Sequence, residues 1–343
     1  MKKLKLLGKC ILNKEQLVAQ EQNVRQGLID GVELLFEFSQ PTKEKILQDL
    51  HKKYVQYLDG MFPVLSAEIG WSLDSKHAFD PISKDKKVRV RSRVCVETAI
   101  AEMEKLDFIH LNIHLCGDIR RVLPSAKPEY AREKGELLDE FRDYVKGLPD
   151  KKITLENVPY LDIPNPPGQF AVFQEVGKLY SDFTQLKVNT TLDIAHAGLA
   201  VQEIITKDKQ ATWSENQVQI ESYLGWVSLF FGKEEQAIAQ RLQGREGKQG
   251  ITQEVIHWMK EIKKNGKLRQ AHLNNCRFEN RLTRGKSVDG WIEGDLNIVE
   301  ILKALKKYGP RYIVTEVKEP KSDYMKLREN KRIWAMAEQV WQS

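Results

Sequence analysis

No apolar run in this sequence approaches the roughly 20 residues that a membrane-crossing helix needs, so an integral α-helical membrane protein is excluded. Cysteine is scarce. Cys10, Cys95, Cys116 and Cys276 stand far apart with no CxxC pair, and neither a disulfide framework nor a zinc ribbon is implied. The opening MKKLKLLGKCIL resembles a signal peptide only at first sight, because Lys5 and Lys9 interrupt an apolar stretch already too short for one. The expected location is cytoplasmic. No GxGxxG turn follows the first strand candidate, which argues against an open dinucleotide-binding sheet. Internal repeats and low-complexity tracts are also absent.

What is present is globular composition: 343 residues, 41% hydrophobic and 30% charged, enough apolar material for a large core. The net charge of +6 comes from 54 basic and 48 acidic residues that are largely interspersed, as in AEMEKLD and REKGELLDEFRD. Such mixing describes solvated helix faces better than a nucleic-acid footprint. Two basic runs, KDKKVRVRSR (84–93) and KLRENKR (326–332), leave a phosphate-bearing ligand open.

Short apolar or β-branched runs alternate with longer amphipathic segments throughout. The strand candidates are KLKLLGKCIL (3–12), VELLFEF (32–38), FPVLSAEIGW (62–71), FIHLNIHLC (108–116), KITLENV (152–158), KVNTTLDIA (187–195), LRQAHLNN (268–275) and RYIVTEV (311–317). Eight β-then-α units call for a parallel sheet with crossover helices and permit its closure, so the expected fold is a single (β/α)8 TIM barrel over residues 1–343. Residues 201–250 exceed a minimal barrel. They are expected to form a helical insertion between the sixth and seventh strands, serving either as a lid or as a longer packed crossover or oligomer contact.

Polar residues interrupt the last four strands at one level. Glu156 ends ITLE, Asp193 ends TTLD, His272 lies in QAH, and Glu316 ends IVTE. Strand ends of that sense converge on one barrel face, where such enzymes place their active sites. Three buried carboxylates in one mouth need a compensating cation. Carboxylate oxygens with one imidazole suit a single divalent ion such as Mn²⁺, Mg²⁺, Co²⁺, Fe²⁺ or Zn²⁺, and the lack of thiolates disfavours a purely structural zinc site. By period-two alternation His110, Asn112 and His114 share a face of the fourth strand. His114, nearest the carboxyl end, is placed to touch metal or substrate, whereas His110 reads as a hydrogen-bonded core histidine. His51, His77 and His257 carry no assigned role.

ITLENVP, TLDIAHAGLA, AHLNNC and IVTEV resemble the corresponding strand ends of the xylose-isomerase-like barrels, a superfamily of sugar and sugar-phosphate isomerases and epimerases that includes endonuclease IV. The D-x-x-H of Asp193 and His196 is the sharpest element. The resemblance implies a metal-dependent isomerase or epimerase acting on a small carbohydrate by proton transfer through a metal-stabilised enediolate. Glu156, Asp193, His272 and Glu316 would hold the ion, and Glu156 and Glu316 would exchange the proton. His196 would hydrogen-bond a substrate hydroxyl or simply support Asp193. Asp162 matches a substrate-binding acid, Arg281 and Arg277 follow the seventh strand where they could grip a phosphate or carboxylate, and Trp71 or Trp291 could stack on a sugar ring. A homo-oligomer is also implied. The alternative is an endonuclease IV-like hydrolase of damaged DNA, with a second metal near His114 and a third site begun by Asp289. Against it, Trp291 stands where that pattern expects histidine, and the third strand offers Glu68 and Trp71 in place of another.

Overall fold

The computed structural model describes residues 4–11, 14–36, 58, 60–70, 79–81, 83, 85–114, 116–117, 136, 139–148, 153–157, 168–169, 188–199, 201–202, 240–245, 247–264, 268–278, 286–288, 294–316, 332 and 335–341. Eight strands form its centre: β1 (Lys5–Ile11), β2 (Gly31–Phe36), β3 (Leu65–Ile69), β4 (Leu111–His114), β5 (Ile153–Glu156), β6 (Val188–Asp193), β7 (Leu268–Leu273) and β8 (Tyr312–Thr315). Each pairs in parallel with its neighbour in sequence, and β8 returns to β1 with Tyr312 opposite Lys5, so the sheet is a closed barrel. This is the (β/α)8 architecture. All eight expected strands are present in order.

Four long helices are α1 (Lys14–Arg25), α2 (Lys86–Lys105), α3 (Lys248–Lys264) and α4 (Ile298–Tyr308). They follow β1, β3, β6 and β7 respectively, as crossovers must. Alternation gives every strand an outer face, and the outward residues Leu34, Ala67, Ile113, Leu155, Leu192 and Ile313 join one large apolar core with helix residues such as Ile100, Trp258 and Leu302. Each buried leucine or isoleucine among them contributes roughly 1.5–3 kcal/mol by leaving water. Asp85 caps α2, accepting from Lys87 N at 2.8 Å, and Asn297 caps α4, accepting from Glu300 N at 3.3 Å. At the start of β2 a side chain at Gly31 would overlap the Val64 carbonyl, so only glycine lets the strands approach there.

Two expectations shift. Of the expected 201–250 insertion, the last three residues begin α3 at Lys248, whereas most of it, residues 203–239 and 246, lies outside the described residues. The fourth and seventh strand candidates are each cut short, because the chain leaves the barrel after His114 and Leu273 to form antiparallel ribbons, Cys116–Gly117 with Gly168–Gln169 and Asn275–Arg277 with Lys286–Val288. Among the described residues, no helix is long and apolar enough to cross a membrane.

Candidate metal centre

The barrel interior changes character along its axis. Toward the amino ends of the strands Leu7, Tyr312 and Val314 form a small apolar plug. Two residues further along β1 and β8 the inward positions become Lys9 and Glu316, and on the other strands the inward set is polar as well.

A middle tier of polar contacts crosses the barrel. His110 Nε2 meets Gln270 Oε1 at 2.6 Å, Gln270 Nε2 donates to Glu33 Oε1 at 2.5 Å, and Glu33 Oε2 lies 2.9 Å from His272 Nε2. His110 is therefore a bonded core histidine, and burial pushes its pKa down to about 4. Burial opposes ionisation of Glu33, yet the charges of His272 and Lys9 hold it at about 2.

The upper tier brings together all four metal-ligand candidates. Nδ1 of His272 lies 3.3 Å from Glu156 Oε2, 3.3 Å from Glu316 Oε1 and 3.9 Å from Asp193 Oδ2. Asp193 and His272 are completely buried. Burial alone would lower the pKa of His272, but Glu156, Glu33 and Glu316 raise it well above its ordinary value. Burial and the neighbouring Glu316 and Glu156 lift Asp193 well above the carboxylate range. Glu156 goes the other way: burial opposes its charge, and His114 and His272 together hold it well below.

Local structure explains the D-x-x-H spacing. Asp193 is both the last residue of β6 and the cap of the helical residues 194–199, accepting from His196 N through Oδ1 at 2.6 Å. That turn swings the His196 ring back over the site, with Nδ1 3.4 Å from Asp193 Oδ2 and 3.6 Å from Glu156 Oε1. Burial leaves His196 neutral at ordinary pH, with a pKa of about 4. Asn274 Nδ2 donates to Asp193 Oδ2 at 2.8 Å and Glu316 Oε2 at 2.9 Å. Asn157 pins the Asp193 backbone from both sides, at 2.8 and 3.0 Å.

His114 joins the same cluster, its Nε2 3.2 Å from Glu156 Oε1 and 4.0 Å from Glu68 Oε1. Burial would lower its pKa, but Glu156 and Glu68 raise it to about 9. Trp71, Asp162, Arg281, Asp289 and Trp291 lie outside the described residues, as does the side chain of Arg277. His257 sits on α3, away from the strands that build the site.

Sequence reading passed over Lys9, Glu33, Gln270, Asn157 and Asn274. Lys9 and Glu33 carried the signal used for the four ligands, a charge inside an apolar strand, but on the first two strands. The carboxamides left no such mark.

These residues fit a divalent ion. Nδ1 of His272 is buried with no hydrogen-bond partner, and the ligand atoms of Asp193, His272 and Glu316 lie within 4.8 Å of one another. Hard oxygens with one imidazole are the donors such an ion takes.

No known family model matches the sequence, and no curated protein matches it. Solved structures do match. A xylose isomerase domain protein from Planctomyces limnophilus aligns with TM-score 0.56 at 11% identity, over 98% of this chain and 96% of that one. A D-tagatose 3-epimerase-like protein gives TM-score 0.53 at 15% identity over 99% and 98%. An L-ribulose 3-epimerase gives 0.53 at 12% over 99% and 96%. The chain has the fold of the xylose-isomerase-like barrels, and at such identities the fold is what is shared.

Proposed function

We propose that this chain is a divalent-metal-dependent isomerase or epimerase of a sugar or sugar phosphate. The observation that carries the reading is the unpartnered Nδ1 of His272, faced at equal distance by Glu156 and Glu316 with Asp193 beyond. Glu156, Asp193, His272 and Glu316 would hold the ion. When bound, it would polarise the substrate carbonyl and lower the cost of enediolate charge.

The protein's own groups supply the rest. Glu156 and Glu316 come from β5 and from the end of β8, so they approach a bound sugar from different sides, the arrangement needed for one to remove a proton and the other to return one. Asn274 fixes the orientation of Glu316 and Asp193. Neutral His196, whose Nδ1 donates to the Asn157 carbonyl at 3.1 Å, would accept from a substrate hydroxyl through Nε2. With Nδ1 given to an ion, the His272 proton would reside on Nε2, which lies 2.9 Å from Glu33 Oε2. The sugar epimerases among the structural neighbours support a carbohydrate substrate.

Incubation with Mn²⁺ and a panel of ketoses in D₂O should place deuterium on carbon, and Glu156→Gln or Glu316→Gln should each slow that exchange by about 10²-fold or more. No exchange across a broad panel would remove the isomerase reading. His114 beside Glu156 gives some support to a phosphodiester hydrolase with additional metal. Nicking of abasic duplex by a protein holding several zinc ions would favour that alternative.

A further inference from the structure

Exposed cations on several helices of this chain are paired locally. Arg25 meets Glu21 at 2.5 Å, Arg142 meets Asp139 at 2.5 Å and Lys146 meets Asp143 at 2.9 Å, each within one helical turn. The seam between α3 and α4 departs from that habit. These helices lead into the neighbouring parallel strands β7 and β8 and so run the same way. They touch at their amino ends, where Asn297 N donates to Thr252 Oγ1 at 3.1 Å and Gln253 Nε2 bonds Glu300 Oε2.

Seven residues make about two helical turns, so Lys260 and Lys307 continue the faces that Gln253 and Glu300 begin. Lys264 and Lys303 stand one turn from them, at the i,i+4 spacing that sets like charges side by side. All four are exposed. Glu261 takes Lys264 at 2.6 Å, but among the described residues Lys260, Lys303 and Lys307 have no ion pair, and Lys307 rests over the Tyr308 ring at 5.1 Å. The helix dipole favours a cation in the last turn, which accounts for Lys264 and Lys307. It does not account for Lys260 and Lys303, each a turn earlier.

Such crowding of one sign is relieved by a polyanion. Among the described residues these two helices expose one large apolar side chain, Val299, in the first turn of α4. That is too little for a face lying in a membrane or for the apolar centre of a protein interface, whereas a phosphate backbone is held by lysine charge alone.

We propose that the lysine seam between α3 and α4 docks a nucleic-acid backbone. The carboxyl ends of these helices lie toward the amino ends of the strands, so the seam sits away from the metal centre and docking leaves the barrel mouth open. Docking there is independent of the reaction proposed above.

The test is a fluorescence-anisotropy titration of the full chain against a short labelled DNA duplex of mixed sequence, at salt concentrations from about 50 to 200 mM. Wild type should bind, with the logarithm of affinity falling linearly against the logarithm of salt. Replacing Lys260, Lys303 and Lys307 together by glutamine should reduce that slope by about 0.9 for each lysine in contact. Removing the same charge elsewhere, by replacing Lys86, Lys87 and Lys146 with glutamine, should leave the slope unchanged, and both triple variants should keep the wild-type Tm and Mn²⁺ affinity. No binding by wild type at the lowest salt would overturn the proposal, as would equal weakening by the two triples, which would make the interaction one of net charge. So would an unchanged duplex slope in the seam variant together with lost binding to phosphatidylserine vesicles, which would assign the lysines to a membrane surface.

Discussion

Glu33 would touch neither ion nor substrate, yet the orientation of His272 depends on it. With Oε2 2.9 Å from His272 Nε2 and Oε1 accepting from Gln270, it holds the ring with Nδ1 toward the other carboxylates. Replacing it by glutamine puts an amide against a ring proton or forces the ring to turn. Glu33→Gln is therefore expected to weaken Mn²⁺ binding by about 10–100-fold, read by titration calorimetry, with little loss of fold. Unchanged affinity would show that packing alone orients the ring.

His110 supplies a prediction of opposite kind, about stability against pH. Its folded pKa of about 4 lies below the ordinary 6.5, so folding favours the neutral ring. Below pH 6.5 the unfolded chain takes up a proton that the folded chain refuses, and stability is lost as pH falls from 6.5 toward 4. The loss amounts to about 3 kcal/mol at most. Urea unfolding of the metal-free protein across that window should decline less steeply for His110→Gln than for wild type. Parallel slopes would mean that burial does not perturb this ring.

At the scale of elements, the legible features were those with strong periodic signals. Short apolar or β-branched runs such as VELLF and RYIV located every barrel strand, because each strand sets an apolar outward face against the helices even where its inward positions are polar. Ends were harder to locate. LRQAHLNN reads as one run, but Asn275 turns its side chain to Leu296, accepting from its N at 3.1 Å and donating to its O at 3.1 Å, and the chain leaves the barrel. That partner is 21 residues away and invisible to local pattern. The same limit hid Asn157 and Asn274, whose importance is a matter of which backbone and carboxylate they meet. By contrast Asp193 was legible as a site residue for one reason and useful for two, since it also caps a helix. Caps are testable separately from the site: Asp85→Ala should lower stability by about 1 kcal/mol through the uncapped amino end of α2 and leave metal binding unchanged.

For the whole molecule the barrel joins residues distant in sequence, and the site is a consequence of closure. Glu316 follows β8, which pairs with β1 carrying Lys9, and the Lys9 ammonium meets Glu316 together with Glu33 and Glu68 from the next two strands. Lys9 and the raised imidazoles of His114 and His272 offset like charge around the axis, and burial with the neighbouring Glu316 and Glu156 raises Asp193 well above the ordinary carboxylate range. The proposed divalent ion would bind only where closure has gathered its ligands, so it would stabilise the folded chain. At 100 times its dissociation constant the gain is about 2.7 kcal/mol, enough to raise Tm by a few degrees. Scanning calorimetry should show that rise on adding Mn²⁺ and its reversal by chelator. In Asp193→Asn, where a ligand is lost but closure is not, the rise should vanish while the metal-free protein still unfolds cooperatively. A full rise in that variant would place the ion elsewhere in the barrel, since a ligand that contributes nothing to linkage is not a ligand.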